Sequence, residues 1–175
     1  MSYKTIRNRT EASFTEKKSE FIGYISPAGT EEEAIGFINE IRAMHRKATH
    51  NCYAYILRNN NTGRHSDDGE PGGTAGMPIY DVLSKNGITD VVCVVTRYFG
   101  GILLGTGGLV HAYSKGASMA LANAEIVNME VADSLKISCD YTMYGIVNSV
   151  LPEFESIIRL SLIHISEPTR RSYIS

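Results

Sequence analysis

The sequence lacks an excess of positive charge: its 17 Lys and Arg residues are outnumbered by 19 Asp and Glu residues, which gives a net charge of −2. This balance argues against a strongly basic nucleic-acid-binding protein, so any contact with a polyanion would depend on a local basic patch. The sequence also lacks an apolar run of membrane-spanning length, and residues 1–6 are too polar for the start of a signal peptide. We therefore expect a cytoplasmic protein that makes no membrane contact.

Cysteine is scarce, and its spacing does not suggest a metal site. Cys52 and Cys93 lie in apolar, strand-like runs, so we interpret them as buried thiols in a reducing compartment. Cys139 leaves the total odd, and no paired spacing such as Cys-x-x-Cys or His-Glu-x-x-His is present. His50, His65, His111 and Cys52 are the residue types that catalytic or zinc sites use, but without a paired spacing we favour structural roles for them. We predict no catalytic residue, no metal ligand and no cofactor.

The most informative stretch of the sequence runs from Ile88 to Ala124. Its first part, residues 88–95, is apolar apart from Thr89 and Asp90 and is rich in β-branched residues, which is typical of a strand covered on both faces. Arg97 follows this strand. Because a guanidinium keeps its charge and is costly to bury without a partner, we expect the strand to reach the surface there.

Glycines after this strand predict a turn that leads into a helix. Gly105-Thr106-Gly107-Gly108 precedes a segment, Leu109–Ala124, with apolar or small residues at helical spacing. A strand, a glycine-rich turn and a helix start leave free backbone N–H groups at one place, which favours anions. The turn lacks the Lys-Ser/Thr pair of a Walker loop, so nucleotide hydrolysis is disfavoured. Close packing of the glycines against the strand is an equally good interpretation.

Cationic and aromatic residues beside this turn predict a surface for nucleic acid or another anion, with charge for phosphate and rings for stacking. The predicted binding residues are Arg97, Tyr98, Phe99, Gly100, Gly101, Thr106, Gly107, Gly108 and Lys115. Several of these residues could have structural roles instead. Arg97 could neutralise the acidic loop, the ring of either Tyr98 or Phe99 could pack in the core, and Lys115 could simply be solvated. Lys17 and Lys18 could extend the positive surface.

A polar segment, residues 65–76, is too rich in Gly and Asp for a helix or strand, yet it lies between core elements. Long loops of this kind in compact domains are usually functional or disordered. The candidate site residues of the loop are Asp67, Asp68, Glu70 and Thr74. The carboxylates would suit Mg²⁺ or Ca²⁺, although their spacing is not that of an EF-hand. We favour the alternative, in which Asp67 and Asp68 accept hydrogen bonds from loop amides or pair with Arg97 or Arg64.

The remaining patterns predict further helices and strands. Thr30 and Glu33 form a capping box at the start of an amphipathic helix that extends to about Lys47. Residues 13–19 are polar and basic and carry no strand prediction. Strands are predicted near residues 3–9, 20–26, 52–57 and 127–138, and helices at residues 77–86 and from residue 140 onward.

Two segments together resemble the paired signatures of the IMPACT family, the group that includes the bacterial YigZ-like proteins. The first segment is Ser66–Ile79, and the second is Arg97–Gly101 followed by Gly105–Ser114. The order of the segments around them also fits, with Lys17–Ile22 before and Thr49–Tyr53 between.

The resemblance covers roughly residues 3–158 and implies an α+β fold. Residues 1–128 would form a domain like the second domain of ribosomal protein S5, and residues 129–159 would be the truncated start of a ferredoxin-like domain. The family is associated with regulation of translation. Its eukaryotic members bind a partner of a stress-response kinase, whereas its bacterial members have no firmly assigned activity.

The C-terminal residues depart from the family pattern. Residues 160–175 resemble the translation of a transposon-end adapter used in preparing sequencing libraries, so we expect an artefactual tail. A partial domain cannot bury its sheet face. We therefore expect residues after about 140 to be poorly packed.

These patterns lead to one functional hypothesis and its rivals. We expect a non-enzymatic, translation-associated regulatory protein that binds RNA, the ribosome or a translation-factor partner through residues 97–108 and the acidic loop. The rival is a metal-dependent, phosphate-handling enzyme that uses the loop carboxylates and the glycine-rich turn. A third possibility is a pure protein-interaction module that uses the same surface.

Overall fold

The computed structural model describes residues 2–59, 62–131, 133, 136–138 and 140–153. Contacts divide the chain into two compact units, residues 1–132 and 133–175. The first unit contains β1 (Tyr3–Ile6), β2 (Thr10–Glu16), β3 (Ser19–Pro27), α1 (Glu31–Met44), β4 (His50–Leu57), β5 (Thr62–Ser66), α2 (Gly76–Lys85), β6 (Val91–Tyr98), α3 (Gly105–Ala122) and β7 (Ile126–Met129). The second unit contains α4 (Tyr141–Val150) and a 3₁₀ turn at Leu151–Glu153. The predicted tail, residues 160–175, lies outside the described residues.

A five-stranded antiparallel sheet with the strand order β2-β3-β6-β4-β5 forms the centre of the first unit. The predicted buried strand is its middle strand, β6, in which every residue from Val91 to Arg97 is buried. β1 and β7 form a separate two-stranded antiparallel sheet that pairs Tyr3 with Met129 and Ile6 with Ile126.

Helices cover both faces of the large sheet, which explains why β6 has no polar face. α2 and α3 pack on one face, where Ile79, Leu109 and Ala117 join the larger core cluster. α1 packs on the other face through Phe37 and Ile38.

The predicted cap of α1 is confirmed. Thr30 Oγ1 accepts a hydrogen bond from the Glu33 backbone N–H at 3.2 Å, and the Glu33 carboxylate accepts one from the Gly29 N–H at 2.7 Å. The first bond satisfies one N–H that the first helical turn leaves free, and the second ties the helix to the residue before its N-cap.

Some strand predictions were incomplete. Of the strand predicted at residues 127–138, the described residues form only the end of β7, which pairs with the equally short β1 as far as Tyr3 and Met129. Residues 13–16, which carried no strand prediction, belong to β2, an edge strand whose alternate residues remain exposed. Residues 65 and 66 of the predicted loop belong to β5, which pairs with β4.

The second unit is described only in part. α4 buries none of its side chains, whereas most of the residues for which poor packing was expected lie outside the described ranges. Across the described residues of both units, no helix has the length and apolar character needed to cross a bilayer.

The hairpin turn between β2 and β3 has an unusual sequence for its conformation. Glu16 pairs with Ser19, so Lys17 and Lys18 form a two-residue turn, and their φ angles are 44° and 65°. Positive φ at both positions defines a type I′ turn, which strongly prefers Asn-Gly because L side chains with a full Cβ are strained there. The turn therefore holds two exposed lysines at a cost to stability.

Replacing Lys17 by Asn and Lys18 by Gly should raise the free energy of unfolding by about 1 kcal/mol, because Asn-Gly adopts this turn with less strain. Urea denaturation with an unchanged m-value would measure the gain. The matched control, Lys17→Ala with Lys18→Ala, removes the same charges but keeps the strain. An equal gain in the alanine variant would show that charge, and not backbone strain, limits the stability of the turn.

Candidate functional site

Arg97, near the end of β6, is buried, so the expectation that it reaches the surface was wrong. Its side chain is 6% exposed, and its Nη1 donates to Glu70 Oε1 at 2.6 Å. The guanidinium also lies over the rings of Phe21 and Phe99, at 5.6 and 5.3 Å from their centroids. A paired carboxylate and two ring faces offset part of the penalty that made burial improbable from sequence, although Arg97 Nε is buried without a hydrogen-bond partner among the described residues.

Glu70 joins Arg97 to α3 and β4. The Glu70 carboxylate accepts a second hydrogen bond from the Tyr113 hydroxyl at 2.7 Å, and His50 Nε2 lies 3.9 Å from its other oxygen. Burial raises the pKa of Tyr113 far above its ordinary value, so this hydroxyl stays protonated and acts as a donor. The place where an external anion was expected to meet Arg97 is therefore occupied by the protein's own carboxylate.

Asp67 holds the acidic loop in its folded path. Its carboxylate accepts hydrogen bonds from the backbone N–H groups of Gly73, Ala75 and Gly76 at 2.9, 3.0 and 2.7 Å. Its backbone carbonyl accepts from the Cys52 thiol at 3.0 Å, and burial raises the pKa of that thiol. The preferred interpretation, in which loop amides satisfy Asp67, agrees with these contacts.

Asp68 and Thr74 are also engaged within the fold. Asp68 pairs with Arg42 at 2.8 Å and accepts from the Asn51 N–H at 2.7 Å, so its ionic partner is neither Arg97 nor Arg64. Thr74 Oγ1 donates to the Pro71 carbonyl at 2.7 Å. Within the described ranges, no group of three or more His, Cys, Asp or Glu residues is arranged to hold a metal ion.

Other predicted site residues also have structural contacts. The Tyr98 hydroxyl lies 2.8 Å from Nδ1 of His45, whose Nε2 lies 2.7 Å from the Tyr24 hydroxyl. Lys115 Nζ lies 4.4 Å from the centroid of the Phe14 ring, so it is only partly solvated.

The helix start differs from the prediction, because α3 begins at Gly105 and includes the expected turn. Thr106 and Gly107 are exposed and Gly108 is half-buried. No side chain caps α3, and its first turn contains no acidic residue. This end of the helix therefore keeps a partial positive charge beside exposed backbone N–H groups.

The loop between β6 and α3, residues 99–104, carries the most exposed apolar side chains of this region. Phe99 is 45% exposed, Ile102 is 42% exposed and Leu103 is 82% exposed, whereas Leu104 is buried. Of these, the sequence analysis singled out only Phe99. The signal that was available was the run Ile102-Leu103-Leu104 between glycines, since an apolar run in a loop is unusual.

The Arg97–Glu70 pair should carry a large share of local stability. Glu70→Gln should lower the free energy of unfolding by about 3 kcal/mol or more, because it leaves a buried guanidinium without its countercharge. Chemical denaturation measures this loss. The control is Glu40→Gln, which breaks the exposed pair with Arg9 and should have little effect. Similar losses of unfolding free energy in both variants would show that the buried pair contributes no more to stability than an exposed pair does.

Because of Asp67, the free energy of unfolding should depend on pH in the acidic range. Burial acts to raise the pKa of Asp67, but hydrogen bonds from Gly73, Gly76 and Ala75 outweigh it and lower the pKa below its ordinary value. A lowered native pKa stabilises the fold above the unfolded pKa, and this stabilisation disappears as pH falls through the native value. The Asp67→Asn variant should therefore be less stable than the wild type at neutral pH. Between neutral pH and about pH 3, it should lose less additional stability than the wild type does. Parallel pH profiles for both proteins would contradict this.

Comparison with known proteins identifies relatives over most of the chain. Residues 17–121 match the Impact N-terminal domain. The chain is 42% identical to IMPACT family member YvyE of Bacillus subtilis (strain 168) over 167 residues, 95% of this chain and 76% of YvyE. It is 36% identical to IMPACT family member YigZ of Escherichia coli (strain K12) over 145 residues, 81% of this chain and 71% of YigZ.

One solved structure is similar to the chain in fold. It is a crystal structure of a hypothetical protein that is 32% identical, with a TM-score of 0.70 over 93% of this chain and 81% of that one. The matched domain lies within the first unit and contains the acidic loop, the Arg97–Glu70 pair and most of α3. On the strength of the domain match and of these identities, the chain belongs to the IMPACT family.

Proposed function

We propose that the chain is a non-enzymatic, cytoplasmic regulatory protein that binds a component of the translation apparatus. The association with translation comes from the family resemblance, and the mode of action comes from the site. The observation that carries the proposal is a contrast: the carboxylates of the acidic loop are paired within the fold, whereas the apolar loop at residues 99–104 is exposed. Asp67, Asp68 and Glu70 have donors within the fold, whereas Phe99 and Leu103 face solvent.

A binding role fits this contrast better than catalysis. A metal-dependent, phosphate-handling enzyme would need loop carboxylates that are free to accept a cation, and these carboxylates are engaged by arginines, a tyrosine and backbone N–H groups. Exposed, contiguous apolar side chains mark surfaces for other macromolecules. The binding surface we propose consists of residues 99–107.

Of the expected partners, a protein of the translation apparatus is favoured over RNA. The RNA hypothesis depended on Arg97 as a free cation, and Glu70 neutralises it. One exposed ring, Phe99, remains for stacking, and the neighbouring Ile102 and Leu103 are aliphatic. Apolar anchors of this kind are typical of the buried centre of protein interfaces.

The finer fold assignment is part of the proposal. The family resemblance and the sheet with helices on both faces support an S5 domain 2-like first unit. By the same resemblance, residues 129–159 are the start of a ferredoxin-like domain.

Leu103→Asp should remove the effect of the purified chain on a reconstituted translation reaction, because it places a charge at the most exposed apolar position of the loop. Its free energy of unfolding should change by less than about 0.5 kcal/mol, as is usual for exposed sites. Co-sedimentation with purified ribosomes, and binding to purified translation factors, would identify the component that is bound.

The matched control is Ile35→Asp on α1, which is 45% exposed and lies on the opposite face of the sheet. This variant should retain full activity in the translation assay. The proposal fails if the wild-type chain neither binds these components nor alters translation, or if both variants behave like the wild type.

A further inference from the structure

The strained lysine turn and the apolar loop form one continuous surface. A Cβ on Gly100 would overlap the carbonyl oxygen of Lys18, so the two backbones are in contact. The Gly100 N–H also donates to Ser19 Oγ at 3.2 Å. The two exposed lysines of the turn therefore lie directly beside the loop that exposes Phe99 and Leu103.

The conformation of the turn indicates that its lysines have a role outside the fold. Both have positive φ, where Asn-Gly would be accommodated with less strain. Neither their geometry nor local packing requires lysine, since both side chains are exposed. Residues held in strained conformations cluster at functional sites, and here the strained turn carries two consecutive exposed lysines.

The charges around this surface favour a short anionic segment over a polyanion. Glu16 and Glu20 flank the lysine turn, so no continuous basic track is available for a nucleic-acid backbone. The uncapped start of α3, which follows the apolar loop in the chain, adds a partial positive charge at Gly105.

We propose that this surface docks a protein segment that carries apolar side chains with carboxylates beside them. Phe99, Ile102 and Leu103 contact the apolar side chains of the segment, while Lys17 and Lys18 pair with its carboxylates. This inference rests on the proposed binding function and adds to it the chemistry of the partner and the role of the lysine turn.

The test uses the full chain as bait for a displayed library of random dodecapeptides. Selected peptides should be enriched in Asp or Glu beside Leu, Ile or Phe. A synthetic copy of an enriched peptide, added to the ¹⁵N-labelled chain, should shift the amide signals of residues 17–19 and 99–104. Selected peptides that are basic, or signals that shift elsewhere, would overturn the proposal, as would a selection without enrichment.

Lysine variants test the role of the turn. Lys17→Asn with Lys18→Gly should weaken peptide binding by about tenfold even though it stabilises the fold, so unfolding cannot explain the loss. Lys17→Ala with Lys18→Ala should weaken it equally. The control, Lys4→Asn with Lys85→Asn, removes the same charge from β1 and from the last residue of α2, outside the proposed surface, and should bind normally. Equal binding by all three variants would overturn the inference.

A single-stranded uridine oligonucleotide serves as the RNA probe. Saturable RNA binding that shifts the same amide signals and weakens in the lysine variants would replace the protein segment with RNA and overturn the proposal. Failure here can be distinguished from failure of the proposed function. If Leu103→Asp abolishes the effect on translation while the lysine variants retain it, the binding function stands and the inference about the lysine turn falls.

Discussion

The buried ion pair between Arg97 and Glu70 is the constraint on which the rest of the structure depends. Arg97 lies in the middle strand of the sheet, and Glu70 lies 27 residues before it in the loop that precedes α2. A guanidinium at this depth requires a countercharge, so the loop must bring Glu70 to it. Tyr113 completes the arrangement by donating to the same oxygen from α3.

This requirement explains the composition of the acidic loop. To reach Arg97, the chain must fold back tightly after β5, and Asp67 closes that path by accepting the N–H groups of Gly73, Ala75 and Gly76. Asp68 and Gly69 adopt positive φ angles of 43° and 89°, which an aspartate and a glycine tolerate better than most residues. The sequence pattern that suggested a metal site is thus sufficiently explained by backbone geometry and charge neutralisation.

Sequence reasoning was most successful where the signal is local. The apolar run of β6, the capping pair Thr30 and Glu33, and the helical spacing in α3 each depend on neighbouring residues, and each predicted element is present. Arg97 was misplaced because its burial depends on Glu70, Phe21 and Tyr113, which only the tertiary fold brings together. The exposure of Leu103 was also missed, because it depends on how the residues behind the loop pack in the tertiary fold.

The exposure of the β6–α3 loop follows from that packing. Behind the loop, the buried Arg97 guanidinium lies over the rings of Phe21 and Phe99, and Leu104 is buried while Leu103 is 82% exposed. Gly100 is fixed against the backbone of the lysine turn, and Gly101, with φ of 84°, redirects the chain outward. A loop held in this way presents its apolar side chains in a defined position before any partner arrives, which lowers the entropy lost on binding. The same buried pair that makes Arg97 unavailable to an external anion therefore lies directly behind the surface that we propose for binding.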